Sequence, residues 1–407
     1  MKNVFMPADI LLPENPAWEK WSVVACDQYT SEPEYWNEVE GIVGDAPSTL
    51  RLTLPEIYLE KEGEAEKIAA IGKAMEEYAP RMRCLENSFI YVERTLSGGR
   101  VRKGIVGRVD LEAYNYEKGA KSPIRATEGT VIERIPPRLR VREGATMELP
   151  HVMILIDDRE KTVIEPIQKG ETLYDFDLMM GGGHIAGYQV TGAEAERIMT
   201  AISALGTAFM ERTGEENPFI LAMGDGNHSL ATAKAYYENL KKKLSPEEAA
   251  NHPARYALCE IVNLPDPALE FEPIHRVVFD VDPEKLLADF EVFCRENKGE
   301  NAPQEIPYCF KGKKGTCRIE NPVSPLAVGT LQKFLDEQGV KIDYIHGADV
   351  VEKLGTEEKN IGFLLPPMDK NALFDTVEAD GVLPRKTFSM GEANEKRFYL
   401  EARKITK

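Results

Sequence analysis

Apolar residues along this chain recur at two spacings, one helical and one strand-like, and proline or glycine marks most changes between them. Ile68, Ile71 and Met75 share a helical face and predict a surface helix over residues 64–78. Ala195, Ile198, Ile202 and Leu205 predict another over 191–212, with Gly214 just beyond as its stop. Shorter runs predict strands at 88–92, 102–110, 130–135 and 151–156. The run 219–223 has the length of a buried strand, and Leu230, Ala233, Tyr237 and Leu240 mark a helix face soon after it. Strands at 256–264 and 275–281 come next. The last third alternates helices (283–294, 326–337, 368–378) with strands (342–345, 361–365, 397–402), which predicts a mixed α/β (α+β) architecture.

Two stretches interrupt the pattern. Up to about residue 60, Trp18, Trp21, Tyr29, Tyr35 and Trp36 crowd between repeated prolines, which predicts an irregular segment packed over a core. Leu264-Pro265-Asp266-Pro267 is the best candidate boundary. It gives residues 1–265, an irregular segment plus an α/β core, and residues 266–407, a C-terminal α/β domain.

Charge narrows the set of partners. The 407 residues include 50 basic and 68 acidic side chains, a formal net charge of −18. Such a field repels nucleic acid and acidic membranes, yet leaves room for a small anion in a local basic pocket. The cysteines form no C-x-x-C pair, so neither a zinc signature nor a disulfide framework is present, as suits a reducing compartment. Pro7 interrupts any secretory apolar core, and no apolar run is long enough to span a bilayer. The expectation is a cytoplasmic protein without a membrane span.

Candidate chemistry gathers at Met223-Gly224-Asp225-Gly226-Asn227-His228-Ser229, between the buried strand and the helix. Glycines around Asp225 permit backbone conformations closed to other residues. The helix N-terminus that follows offers unpaired N–H groups and a positive dipole end, a site for phosphate or carboxylate. Asp225 can bind a cation or accept a proton, and His228 can donate to a phosphoryl oxygen. The competing interpretation is an ordinary Asp-Gly turn, with Asn227 or Ser229 capping the helix.

A second cluster is Arg134-Ile135-Pro136-Pro137-Arg138-Leu139-Arg140-Val141-Arg142. If extended, it places Arg138, Arg140 and Arg142 on one face, for an anion or for carboxylates such as Glu133, Glu143 and Glu148. Glu128, in Arg125-Ala126-Thr127-Glu128-Gly129-Thr130, belongs to a segment that reads as plain turn chemistry. His184 follows a run of glycines suited to a closing loop or a linker, and His151, opening an apolar strand, reads as structural. No H-x-x-x-H pair, phosphate loop, nucleophile elbow or dinucleotide fingerprint is present.

Together these segments resemble the prokaryotic domain-of-unknown-function family 1015, whose hallmark is a D-G-H-H-R box at a strand end. Here the box reads Asp225-Gly226-Asn227-His228-Ser229, followed by Tyr236-Tyr237. The resemblance continues through Ala25-Cys26-Asp27-Gln28-Tyr29, Pro273-Ile274-His275-Arg276-Val277-Val278, Ile342-Asp343-Tyr344, Gly362-Phe363-Leu364-Leu365-Pro366-Pro367 and Leu383-Pro384-Arg385-Lys386-Thr387. It implies a ParB/sulfiredoxin-like nucleotide-binding core with α/β elements added at both ends. It also implies kinship with free-serine kinases, which use such a box with Mg²⁺ and ADP or ATP.

On this resemblance the protein is a metal-assisted phosphotransferase for a small metabolite, with serine or O-phosphoserine and a nucleotide as substrates. Asp225 would hold the metal or activate a hydroxyl, Gly226 and the helix N-terminus would cradle phosphate, and His228 would contact the transferring group. Asn227 and Ser229 depart from the family's His and Arg, so Arg138, Arg140, His275 or Arg276 would complete the substrate site. Glu14, Asp27 and Glu128 are candidate bases. The alternatives are a phosphatase acting without nucleotide and a non-enzymatic nucleotide- or metabolite-binding regulator.

Overall fold

The computed structural model describes residues 2–407. The chain is mixed α/β and forms two compact units. The first takes in Met1–Leu269 together with Glu392–Lys407, and the second is Glu270–Gly391. The expected 266–407 domain therefore needs correction, because its last segment returns to the first unit. Among the described residues no helix is long and apolar enough to cross a membrane.

The first unit is built on an 11-stranded mixed sheet. The strand carrying the box, Leu221–Asp225, lies inside it, parallel to Ile124–Arg125 and antiparallel to Met153–Ile156. Beyond Met153–Ile156 come Tyr256–Asn263, Val101–Asp110, Met82–Thr95 and His184–Val190. Strand side chains alternate between faces, and the two cores follow that period. Phe89, Tyr91 and Ile105 pack with Ala195, Ile198 and Ile202 of the helix Gly192–Thr213, so the predicted helix covers one face. Ile90, Val92 and Val106 face the other way, against Trp21, Trp36 and Met75.

The aromatic-rich opening is more regular than its prolines predicted. Ala8–Pro13 pairs with Met82–Thr95 inside the sheet, and Pro33–Val43 is a helix that begins at Pro33. A proline in the first helical turn gives up an N–H that has no intrahelical partner anyway. The same holds for Pro136 and Pro137, which open the helix Ile135–Glu143, and just before it a single helical turn, Ile132–Arg134, stands where a strand over 130–135 was expected.

Residues 397–402 are extended but form only isolated bridges, not the predicted strand. Their partners come from the opening segment. Ala25 N–H donates to Arg397 O (2.9 Å), Tyr399 N–H to Val23 O (2.8 Å), and Trp21 Nε1–H to Leu400 O (2.9 Å). A buried ion network fixes the same segment. Arg397 donates to Glu260 (2.9 Å) and Glu401 (2.7 Å), and their side chains are 4%, 3% and 0% exposed.

In the second unit a five-stranded antiparallel sheet carries His275–Phe279 between Lys341–Ile345 and Ile361–Phe363. Phe290, Phe293 and Phe334 pack together in its core, contributed by the helices Pro283–Glu296 and Ala327–Gln338.

Removing one member of a buried ion network leaves an uncompensated charge, at a cost of about 3–5 kcal/mol. Arg397→Ala is expected to lose that much stability in urea unfolding of the first unit's transition. A change within experimental error would show that the segment is held by its backbone bonds alone.

Candidate functional site

Asp225 ends its strand, and Gly226 turns the chain with φ 79° and ψ 29° into the helix Asn227–Lys241. A side chain at Gly226 would meet Val152 at 3.1 Å, so both the left-handed backbone and the tight approach require glycine here. Ser229 N–H and Leu230 N–H bond back to Gly226 O, so the helix starts directly after the turn. Sequence reasoning placed this strand-turn-helix correctly.

What surrounds the turn comes from distant parts of the chain. Lys396 Nζ lies 3.1 Å from Asp225 Oδ2, and Gly226 N–H donates to Asp225 Oδ1 (2.9 Å). Burial pushes the Asp225 carboxyl up, but the Lys396 ammonium, His151 and the Gly226 N–H outweigh it and hold the group below its ordinary value. Both side chains are largely buried, at 24% and 9% exposed.

His151, expected to be structural, stands at the centre of a second network. Its Nε2 is 2.9 Å from Ser229 Oγ and 3.8 Å from Asp27 Oδ2, and its Nδ1 is 2.9 Å from Tyr399 Oη. Burial raises the Tyr399 phenol far above its usual value, so it keeps its proton. Tyr399 Oη accepts from Cys26 N–H (3.2 Å), and its own proton points to His151 Nδ1. With Nδ1 taken as acceptor, it is the Nε2 hydrogen of His151 that faces Ser229 Oγ. Ser229 accepts that bond, which leaves its hydroxyl proton for another acceptor.

The loop before the helix closes the turn's other side. Thr127 Oγ1–H donates to Met223 O (2.8 Å), Asn227 Nδ2–H to Glu128 Oε1 (3.1 Å), and Val131 N–H to His228 Nε2 (3.4 Å). So the segment read as plain turn chemistry does reach the box. Asn227 Oδ1 and Thr130 Oγ1 are buried without a hydrogen-bond partner among the described residues. Each such atom costs about 1–3 kcal/mol, which a ligand or water can recover.

Of the three candidate bases, Asp27 stands beside His151 and Glu128 holds Asn227, whereas Glu14 is exposed and its N–H donates to Arg81 O. The arginines behave differently from the expectation of a shared strand face. On a helix they diverge to separate carboxylates: Arg138 to both oxygens of Glu56 (2.8 and 2.5 Å), Arg140 to Glu64 (3.0 Å) and Arg142 to Glu148 (2.6 Å). These three guanidiniums are therefore paired rather than ranged along one anion-binding face. His275 and Arg276 belong to the second unit, where His275 Nδ1 accepts from Leu365 N–H (3.0 Å). Arg276 donates to Gln332 (3.2 Å) and to the backbone carbonyls of Arg385 (2.8 Å) and Lys386 (2.9 Å). Nor does His184 cap a mobile loop, since it bonds Asp175 (2.7 Å) and Asp177 (2.8 Å) across the sheet edge.

Magnesium is implied by the sequence resemblance. Both Asp225 oxygens are engaged, and among the described residues no three His, Cys, Asp or Glu side chains converge as a metal site needs. The residues do not fit a protein-held divalent ion. The positive charge beside Asp225 is that of Lys396.

The family model described as protein of unknown function, DUF1015, matches residues 10–338, and the chain belongs to that family. The box and His151 lie inside the match, while Lys396 and Tyr399 lie beyond it. No curated protein matches the sequence. Among solved structures, a conserved hypothetical protein from Pyrococcus furiosus is 10% identical, with 74% of this chain and 94% of that one covered and a TM-score of 0.35. A mutant free serine kinase in complex with AMP is 12% identical (75% and 92% covered, TM-score 0.38). SbnI of Staphylococcus aureus, truncated at its C-terminus, is 9% identical (70% and 82% covered, TM-score 0.36).

The site geometry makes a direct prediction about charge. A carboxyl held low by its fold adds stability above its unfolded value, about 3.9 for Asp, and loses it as pH falls through the lower folded value. In Lys396→Met, burial acts with less opposition. The Asp225 carboxyl, followed by carbon NMR titration, is expected to move upward and its contribution to vanish. An unchanged titration would mean that Lys396 is not the controlling charge.

Proposed function

We propose that the protein is a phosphotransferase that moves a phosphoryl group between an adenine nucleotide and a small hydroxyl-bearing metabolite. The observation that carries this reading is the Lys396–Asp225 pair (3.1 Å) at the N-terminus of the box helix, a cation beside the positive end of the helix dipole. Positioning and charge neutralisation supply most of the catalysis in phosphoryl transfer. Here Gly226 and the helix N-terminus cradle the transferring phosphoryl group and Lys396 neutralises its oxygens. His151, donating from Nε2 to Ser229 Oγ (2.9 Å), orients the Ser229 hydroxyl beside the transferring group.

Asp27 is the base. The acceptor hydroxyl loses its proton to the Asp27 carboxylate while its oxygen bonds to phosphorus, and the bond from phosphorus to the bridging oxygen of ADP breaks. His228, facing the loop at Val131, orders that side of the turn. Serine and O-phosphoserine are the acceptor and product implied by the motif resemblance, and they head the panel to be tested.

Phosphorus NMR tests the reading. Protein is incubated with ATP and each of several alcohols, serine included, and O-phosphoserine is run both with ADP and alone. A phosphomonoester signal appearing with matching ADP is expected, reduced about 10²–10⁴-fold in Asp27→Asn, the range for loss of a general base. Inorganic phosphate released without nucleotide would replace the proposal with a phosphatase. No turnover in any tube would replace it with a binding protein.

A further inference from the structure

A cavity of about 160 Å³ in the first unit is lined by Ser229, His151, Tyr399 and Cys26. The rest of its wall is mostly apolar, with Leu52, Leu54, Met75, Val141, Leu230 and Leu258. The charged groups on that wall are already paired. Glu56 takes both its bonds from Arg138, and Glu148 takes bonds from Arg142 and Arg403. Thr53 and Thr232 spend their hydroxyl protons on Thr49 O (2.9 Å) and His228 O (2.7 Å). The Ser229 hydroxyl, which takes the His151 Nε2 hydrogen, keeps its own proton for a guest at that end.

We infer that this cavity binds the acceptor substrate, and that the acceptor is a small apolar alcohol whose hydroxyl meets Ser229 and His151. The inference rests on the phosphotransferase reading and names its acceptor class. An apolar cavity of about 150 Å³ takes up benzene, so the volume suits a guest of roughly that size. A free amino acid such as serine would bring an ammonium and a carboxylate onto a wall whose ions are mutually satisfied, and burying them unpaired is costly. The apolar body of an alcohol instead gains from every wall atom it covers. The cavity and the phosphate-binding turn share Ser229, so a hydroxyl at that end is delivered to the phosphoryl group. Asp27, one residue beyond the lining residue Cys26, is within reach of the proton.

Benzyl alcohol is the probe, with serine as its rival and ADP as the control. Binding is measured by calorimetry on the full chain, together with the NMR signal of the Met75 methyl group. Wild-type protein is expected to bind benzyl alcohol more tightly than serine, with a shift of the Met75 methyl. Ala145→Leu and Ala233→Leu, each enlarging a residue that lines the cavity, are expected to weaken the alcohol at least tenfold and to leave ADP binding unchanged. The Met75 readout needs no variant, so a variant that fails to fold does not remove the test. Alcohol binding unaffected by both variants, a silent Met75 methyl, or tighter binding of serine would overturn the inference. Failure of the parent reading looks different, since ADP would then not bind wild-type protein while the alcohol still occupied the filled-sensitive cavity.

Discussion

Arg397 lies inside the first unit, and its charge has to be met there. Glu260 and Glu401 meet it, at 2.9 and 2.7 Å. Glu260 belongs to the sheet strand Tyr256–Asn263, so the last segment of the chain is tied to the middle of the fold. Arg94 adds a second anchor, donating to the backbone carbonyls of Gly182 and Asn394. Trp21, Val23 and Ala25 bond the segment from the opening stretch. A buried guanidinium with these partners has little freedom to shift. Lys396 and Tyr399, on either side of it, are set beside Asp225 and His151.

The chemistry follows from that placement. A carboxylate at a helix N-terminus, alone, would repel a phosphate that the N–H groups attract. Lys396 cancels that charge, and in the proposed mechanism its ammonium takes the role that a divalent ion plays in many phosphoryl-transfer sites. Tyr399 sets the hydrogen of His151 on the nitrogen that faces Ser229. In the proposed mechanism Lys396, His151 and Ser229 are the proton-bearing groups, and Asp27 is the carboxylate that would receive a proton.

The box was legible in the sequence because its logic is local. A buried apolar run, a Gly-Asp-Gly turn and a helical apolar stripe all fall within a short window, and each dictates its own conformation. The helices Glu64–Tyr78 and Gly192–Thr213 were legible for the same reason. Lys396 and Tyr399 carried no such signal. Nothing near them in the sequence announces a ligand, and residues 397–402 read as a strand around the apolar run Phe398-Tyr399-Leu400. Their conformation is set by long-range bonds to Trp21, Val23 and Arg397's carboxylates, which periodicity does not encode. Arg138 and Arg140 misled in the opposite way: their alternation resembled a strand, while the Pro136–Pro137 pair was in fact opening a helix. Asp27 lay in a motif segment, but only the approach to His151 separates it from Glu14.

In the proposed mechanism, phosphate is held at the turn by Lys396. Backbone amide NMR of wild-type and Lys396→Met protein, titrated with ADP, tests this directly. The amides of Gly226, Asn227, His228 and Ser229 are predicted to shift together and saturably in the wild type, and to lose most of that response in the variant. Saturable ADP binding that leaves these four amides unmoved, or that Lys396→Met does not weaken, would contradict it.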